Sequence, residues 1–363
     1  MKPFILPLLL LQSPQAIDRA TIAPTVEAVL AEDSIPGVVV AIVQGPELVL
    51  LEAFGLRELE TKTPMRKDDL FQIGSCTKTF TAALLVQAAA KGELELDDPL
   101  GQWLDGEHAL PDWVHDVTLR QLATHTSGLP GNPVNRRNRA EGPGIMEPYS
   151  TEELYAGLAD TRTNGTPGGR WSYSNLGYGL LGHVLERATE QSYEKLLRSR
   201  VLVPLGMNDS GIQPSAEQEA RFAPGYWPND SERVARPRWR FGAVCGFGGL
   251  FSSGRDMARY ASALLANEDA GPFTAGTREV LFTPVIDIQP ARKMAFGFFV
   301  DRIDGVEFVG HGGEVDSYSS SLTVQRSANL AVVVLANRGA DSAERVSHAL
   351  QVLDLEKRLT SPK

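Results

Sequence analysis

The sequence predicts an α+β fold: one antiparallel sheet flanked by helices, built from both ends of the chain around a mostly helical subdomain. Three observations carry this. Two apolar, β-branched runs near the N-terminus meet at a turn signal. Four short strand-like runs separated by turns lie near the C-terminus. Between them the pattern is helical and broken by Pro- and Gly-rich loops.

Taken in order, residues 21–32 carry a helical pattern. Residues 37–43 and 48–54 read as two strands around Gly45-Pro46, a hairpin signal. From Ser75 to about residue 211 helices alternate with loops. Residues 132–148, with Asn-Arg-Arg-Asn-Arg and several Pro and Gly, form a long polar loop of the kind that serves as a lid or stays disordered. Strands return at 295–302, 306–310, 318–325 and 330–335, with Asp304-Gly305 as a hairpin turn. Residues 341–359 read as an amphipathic helix. The division is therefore a single domain over 20–360, with a sheet region at about 20–66 and 240–360 and a helical subdomain at about 75–235.

Residues 1–16 read as an export signal, with Lys2 ahead of a short apolar run, Phe4 to Leu11, and no Ala-x-Ala cleavage form. The run is too short to span a bilayer, which needs about 20 residues. The expectation is a periplasmic or secreted protein, the alternative a cytoplasmic one with an apolar tail, and no integral membrane segment in the mature chain.

Composition suits a globular enzyme. A chain of 363 residues that is 42% hydrophobic can bury a large core. Lys and Arg number 35 against 45 Asp and Glu, a net charge of -10 that argues against nucleic acid and anionic membranes as partners. The 6 histidines are scattered without metal-ligand spacing, and there is no Walker, dinucleotide or Gly-x-Ser-x-Gly motif. No metal and no cofactor is expected. The 2 cysteines, Cys76 and Cys245, read as buried free thiols; a disulfide is the alternative in an exported chain.

The chemistry concentrates in Ser75-Cys76-Thr77-Lys78. Residues three apart on a helix share a face, so the Ser75 hydroxyl and the Lys78 amine come within hydrogen-bond reach. Serine needs a base to become a nucleophile, and a lysine desolvated at a helix start can lose its proton readily enough to be that base. Ser192-Tyr193-Glu194-Lys195 repeats the spacing. Ser75, however, opens an apolar run that reads as a buried helix, whereas Ser192 precedes an amphipathic one and reads as an N-cap. Cys76 is not the nucleophile, since it points about 100° around the helix from Ser75. Two further motifs follow. Tyr173-Ser174-Asn175 lies where a turn cluster, Thr166-Pro167-Gly168-Gly169, gives way to a Gly-rich helix start. His311-Gly312-Gly313 lies in a late strand, where glycines let a substrate backbone approach the edge. His125 and His183 read as structural.

In this order the three motifs resemble the serine β-lactamase and penicillin-binding-protein superfamily, in particular its class C β-lactamase-related branch. His125-Thr126-Ser127-Gly128-Leu129-Pro130, Pro204-Leu205-Gly206-Met207 and Gly248-Gly249-Leu250-Phe251-Ser252-Ser253 add to the resemblance, which spans about residues 20–355. It implies a β-lactamase/transpeptidase-like fold and an acyl-serine intermediate. Ser75 would be the nucleophile, Lys78 its base, and Tyr173 the proton shuttle; which of Lys78 and Tyr173 takes the first proton stays open. The resemblance further implies an oxyanion hole from the backbone N–H groups of Ser75 and Glu314. Asn175 and Asn132 would contact the acyl part of the substrate, and His311, Gly312 and Gly313 would line the strand.

The third motif departs from the Lys-Thr-Gly usual in β-lactamases of this branch. His311 is mostly neutral at pH 7 and Gly312 has no hydroxyl, so both changes weaken a carboxylate site. The expectation is therefore a serine hydrolase of small esters or D-amino-acid-type amides and peptides. A β-lactamase or DD-peptidase is the alternative, and a non-catalytic binding or sensor module is the remaining one.

Overall fold

The computed structural model describes residues 17–104, 106, 108, 110–135, 148–227, 234–351 and 353. The export signal at 1–16 and most of the polar loop at 132–148 lie outside the described residues.

The chain opens with helix α1 (Arg19–Glu32), then strands β1 (Gly37–Gln44), β2 (Glu47–Glu58), β3 (Thr63–Pro64) and β4 (Leu70–Gln72). The middle of the chain holds helices α2 (Thr77–Ala90), α3 (Leu119–Ala123), α4 (Thr151–Asp160), α5 (Asn175–Thr189), α6 (Tyr193–Leu197) and α7 (Ala216–Arg221), with the short strands β5 (Gly225–Tyr226) and β6 (Ala235–Arg236). Strand β7 (Phe251–Ser253) and helices α8 (Gly254–Leu265) and α9 (Ala275–Phe282) follow. The chain then returns to strands β8 (Ile286–Gln289), β9 (Arg292–Met294), β10 (Phe299–Ile303), β11 (Val306–Val315), β12 (Tyr318–Gln325) and β13 (Leu330–Ala336), and helix α10 (Ser342–Gln351).

Nine strands form one antiparallel sheet in the order β3-β2-β1-β13-β12-β11-β10-β9-β8. Both chain ends build it because β1 lies beside β13, with Val38 opposite Ala336 and Val43 opposite Ala331. Every residue of β13 and all of β1 but Gln44 are buried, as expected of strands covered on both faces. Alternate side chains serve two cores. Val38, Val40, Ile42, Val332 and Val334 pack with α1 and α10, while Val39, Ala41, Val43, Val333 and Leu335 join the larger core that contains α2 and α8.

Helix α2 is the spine of that larger core. Thr77 through Ala88 are all buried, which explains the absence of a polar stripe in its sequence. Phe80 stacks on Tyr260 of α8 with centroids 3.9 Å apart. Burying each large side chain of this kind contributes about 1.5–3 kcal/mol. Cys76 and Cys245 are both buried and unpaired, and burial pushes the Cys76 thiol up to about 12.

Three sequence expectations are refined. The strand expected over 295–302 is interrupted: β9 ends at Met294, β10 begins at Phe299, and Gly297 takes φ +73° between them. A Cβ at Gly297 would stand 2.7 Å from the Ala82 methyl and 2.9 Å from the Lys78 carbonyl, so this turn closes directly onto α2. The β8–β9 hairpin at the sheet edge has no counterpart in the expected strands. The C-terminal helix is described as Ser342–Gln351, and most of its expected continuation to 359 lies outside the described residues.

Candidate active site

The site forms where a turn leading into α2, the start of α5 and one edge of β11 converge. Residues Gly74–Cys76 make a single 3-10 turn that runs into α2. Neither the turn nor α2 carries a side-chain cap, so the Ser75 hydroxyl does not take the N-cap role that sequence leaves open to it. The turn packs against β11 at backbone distance. Gly74 has φ +49°, and a Cβ there would lie 2.7 Å from the Glu314 nitrogen. A Cβ at Gly313 would lie 2.0 Å from the Ile73 carbonyl oxygen and 3.0 Å from the Cys76 nitrogen. Glycine at both positions is what brings the backbone around Ser75 and that of Glu314 together. The Cys76 thiol points to the far side, donating to the His311 carbonyl at 2.9 Å.

Lys78 is fully buried. Its Nζ lies 3.0 Å from Ser75 Oγ, 2.8 Å from Asn175 Oδ1 and 2.7 Å from the Phe247 carbonyl oxygen. Burial holds its pKa well below the usual lysine range. A neutral amine has two N–H donors and one lone pair. Asn175 Oδ1 and the Phe247 carbonyl can only accept, so in the neutral amine they would take the two donors and leave the lone pair to the Ser75 hydroxyl. The Nζ also sits 4.9 Å from the centroid of the Tyr173 ring.

Tyr173 stands in the loop just before α5, whose N-cap, Ser174, accepts from Gly177 N at 3.0 Å. Desolvation raises the pKa of its hydroxyl above the ordinary value, against the smaller, opposing effect of the neighbouring Ser75 side chain. A neutral phenol beside Ser75 can donate a proton and receive one back. Asn175 completes a chain of amides: its Oδ1 accepts from Lys78, and its Nδ2 donates to Asn132 Oδ1 at 3.0 Å. The structure thus gathers Ser75, Lys78, Tyr173, Asn175, Asn132, Gly313 and Glu314 at one place.

Strand β11 offers this place an open edge. Its pairing with β10 runs from Ile303–Val306 to Phe299–Gly310 and stops, while pairing with β12 continues to Val315–Tyr318. From His311 onward one side of β11 faces the Ser75 turn instead of a strand. The His311 ring lies between Phe299 and Tyr173, with centroids 5.0 and 6.1 Å away. Burial and the nearby Lys78 push its pKa down to about 3, so it is neutral near pH 7 and gives no cationic anchor for a carboxylate.

Gly312 points to the other face, toward α10. A Cβ there would lie 1.9 Å from Glu344 Oε1, so the Glu344 carboxyl fills the space a side chain at 312 would need. Among the described residues Glu344 Oε2, which is buried, has no hydrogen-bond partner. Burial, followed by the neighbouring Glu314 and Asp341 carboxylates, pushes the Glu344 pKa up to about 8. The folded protein therefore holds this proton across a range in which the unfolded chain has released it. The sign follows: the contribution is in full below about pH 4.5 and is lost as pH rises through about 8. Glu344→Gln is expected to be more stabilising, relative to the parent, at pH 8.5 than at pH 5. Thermal melts of both proteins at the two pH values check this, and an unchanged difference in Tm would show that Glu344 does not carry the proton.

The second Ser-x-x-Lys motif lies elsewhere. Ser192 caps α6, its Oγ accepting from Lys195 N at 3.4 Å. His183 is structural as expected, its Nε2 lying 3.1 Å from the Tyr155 hydroxyl. His125 is not merely a turn residue, because its ring centroid lies 4.4 Å from that of Tyr173. No local signal in the sequence could have placed it there, since Tyr173 is far along the chain. Among the described residues no helix is long and apolar enough to cross a membrane.

Comparison with known proteins agrees with this geometry. The chain is 30% identical over 372 residues to Esterase EstB of Burkholderia gladioli, covering 89% of this chain and 92% of that protein. It is 29% identical over 233 residues to the D-alanyl-D-alanine-carboxypeptidase/endopeptidase AmpH of Escherichia coli K12, covering 64% of this chain and 58% of AmpH. Among solved structures it superposes on the octameric penicillin-binding protein homologue from Pyrococcus abyssi with a TM-score of 0.80 at 26% identity, covering 94% of this chain and 79% of that one. The fold is β-lactamase/transpeptidase-like. The Beta-lactamase family model matches residues 22–357, and the chain belongs to that family.

Proposed function

We propose that this protein is a serine hydrolase of the class C β-lactamase-related type, which cleaves small esters or D-amino-acid-type amides and peptides through an acyl-Ser75 intermediate. The observation that carries the reading is the buried Lys78 amine, whose two accepting partners leave its lone pair to Ser75. In this reading Ser75 Oγ attacks the acyl carbon as its proton passes to Lys78 Nζ. The oxyanion is held by the backbone N–H groups of Ser75 and Glu314, each donor worth about 2.7–4 kcal/mol of barrier. Tyr173 gives its hydroxyl proton to the leaving alkoxide or amine, and the tyrosinate takes back the proton held by Lys78 Nζ, which lies 4.9 Å from the centroid of its ring. Water then cleaves the acyl–serine ester by the reverse path, with Tyr173 as its base. Asn175 holds a substrate carbonyl and Asn132 contacts the acyl side chain.

The neutral His311 and the missing side chain at Gly312 favour substrates without a carboxylate beside the scissile bond. The similarity to EstB, an esterase by name, supports the ester branch of the reading. The similarity to AmpH supports the second reading, a DD-peptidase or β-lactamase using the same machinery.

Intact mass after mixing with benzylpenicillin separates the two. The expected result is no lasting adduct and no loss of free penicillin, with steady hydrolysis of a p-nitrophenyl ester. An adduct that disappears in Ser75→Ala would move the assignment to a penicillin-recognising enzyme. No turnover of esters, amides or penicillin would leave the binding-module alternative.

A further inference from the structure

Tyr173 acts only if its hydroxyl stays on Ser75, yet it stands in a loop between a turn cluster and the first residue of α5. The backbone on either side of it is tied to a single residue. Ser172 N donates to the His125 carbonyl at 2.8 Å, and Ser174 N donates to His125 Nδ1 at 3.1 Å. The His125 ring lies 4.4 Å from the Tyr173 ring, tilted by 34°. His125 is fully buried and takes φ +58°, a left-handed conformation uncommon for a residue with a Cβ. That conformation lets one residue present its carbonyl and its side chain to the same segment.

The side-chain bond also fixes the chemical form of the ring. Nδ1 accepts, so the hydrogen is on Nε2, which is buried and has no hydrogen-bond partner among the described residues. An imidazolium would turn Nδ1 into a donor facing the Ser174 N–H. Burial above all holds the ring neutral.

We propose that His125 is a positioning residue for the hydrolytic reaction: by accepting from the backbone on both sides of Tyr173, it holds the phenol on Ser75. This rests on the assignment of Tyr173 to proton transfer made above. The side-chain half of the clamp is separable. His125→Phe keeps a ring against Tyr173 but removes the acceptor for Ser174 N. His125→Asn removes the ring but puts Oδ1 where Nδ1 stood, and asparagine tolerates the left-handed backbone.

The test is a double-mutant cycle on Ser75-dependent hydrolysis of a p-nitrophenyl ester. His125→Phe is expected to lower kcat by about tenfold to about 10²-fold, the range for a misplaced catalytic group, with KM within about twofold of the parent. In a Tyr173→Phe background the same substitution is expected to cost less than about twofold, because the hydroxyl it positions is already gone. An equal loss in both backgrounds, or a loss carried by KM, would make His125 a packing residue and overturn the clamp. Should His125→Phe be insoluble, His125→Asn decides. A kcat within about threefold of the parent supports the acceptor role, and a loss of tenfold or more in soluble protein overturns it. The failures are distinguishable: if Tyr173→Phe alone leaves kcat unchanged, the assignment of Tyr173 falls and the clamp with it.

Discussion

Ser75→Ala is expected to reduce hydrolysis of a p-nitrophenyl ester to no more than the roughly 10³–10⁴-fold acceleration over water that binding and oxyanion donors supply without a nucleophile. The reason is geometric. Ser75 Oγ lies 3.0 Å from a buried amine that has no carboxylate partner among the described residues, and the Tyr173 side chain stands beside it. Deleting the Oγ removes the atom on which both converge. The matched control is Ser192→Ala, which removes a cap bond at a partly exposed helix start and is expected to cost about 0.5–2 kcal/mol of stability with activity nearly intact. Initial rates and thermal melts on both variants check the pair. Activity lost in folded Ser192→Ala and kept in Ser75→Ala would place the chemistry at the other motif.

Tyr173→Phe is expected to slow turnover by about 10²–10⁴-fold, the usual contribution of a general acid–base group. The ring and its contacts with His125 and Lys78 would remain, so the loss reports the hydroxyl alone. Substrates with a good leaving group need less proton donation in acylation. The deficit should therefore shift toward deacylation for p-nitrophenyl esters, visible as a burst of nitrophenol followed by a slower steady rate. An unchanged steady rate would remove Tyr173 from the mechanism.

The chemistry was legible where it depends on short-range geometry. Ser75 and Lys78 are three residues apart on a helix, and the apolar run behind them announces that the helix is buried, so proximity and desolvation could both be read from one stretch. Tyr173 and Asn175 could be read as a loop-to-helix junction from the turn cluster before them and the glycines after. The antiparallel sheet was legible because β-branched runs and turn residues alternate at both chain ends, although β8 and β9, short and rich in charge, were not.

What stayed hidden depends on contacts between distant segments. His125 reads as a turn residue because nothing near it in sequence shows that both its carbonyl and Nδ1 meet the backbone around Tyr173. Glu344 reads as one polar position on an amphipathic helix, yet α10 packs so that its carboxyl fills the space over Gly312. The break at Gly297 is set by the approach of that turn to Lys78 and Ala82 on α2. By itself the sequence determined that Ser75 and Lys78 meet and the family to which they point, because helix periodicity places neighbours three residues apart on one face whatever surrounds them. Only the tertiary structure decided that Lys78 is fully desolvated, that β11 keeps a free edge beside Ser75, that His125 meets the backbone around Tyr173 and that Glu344 fills the space over Gly312, because burial and close approach arise from segments that meet only after folding.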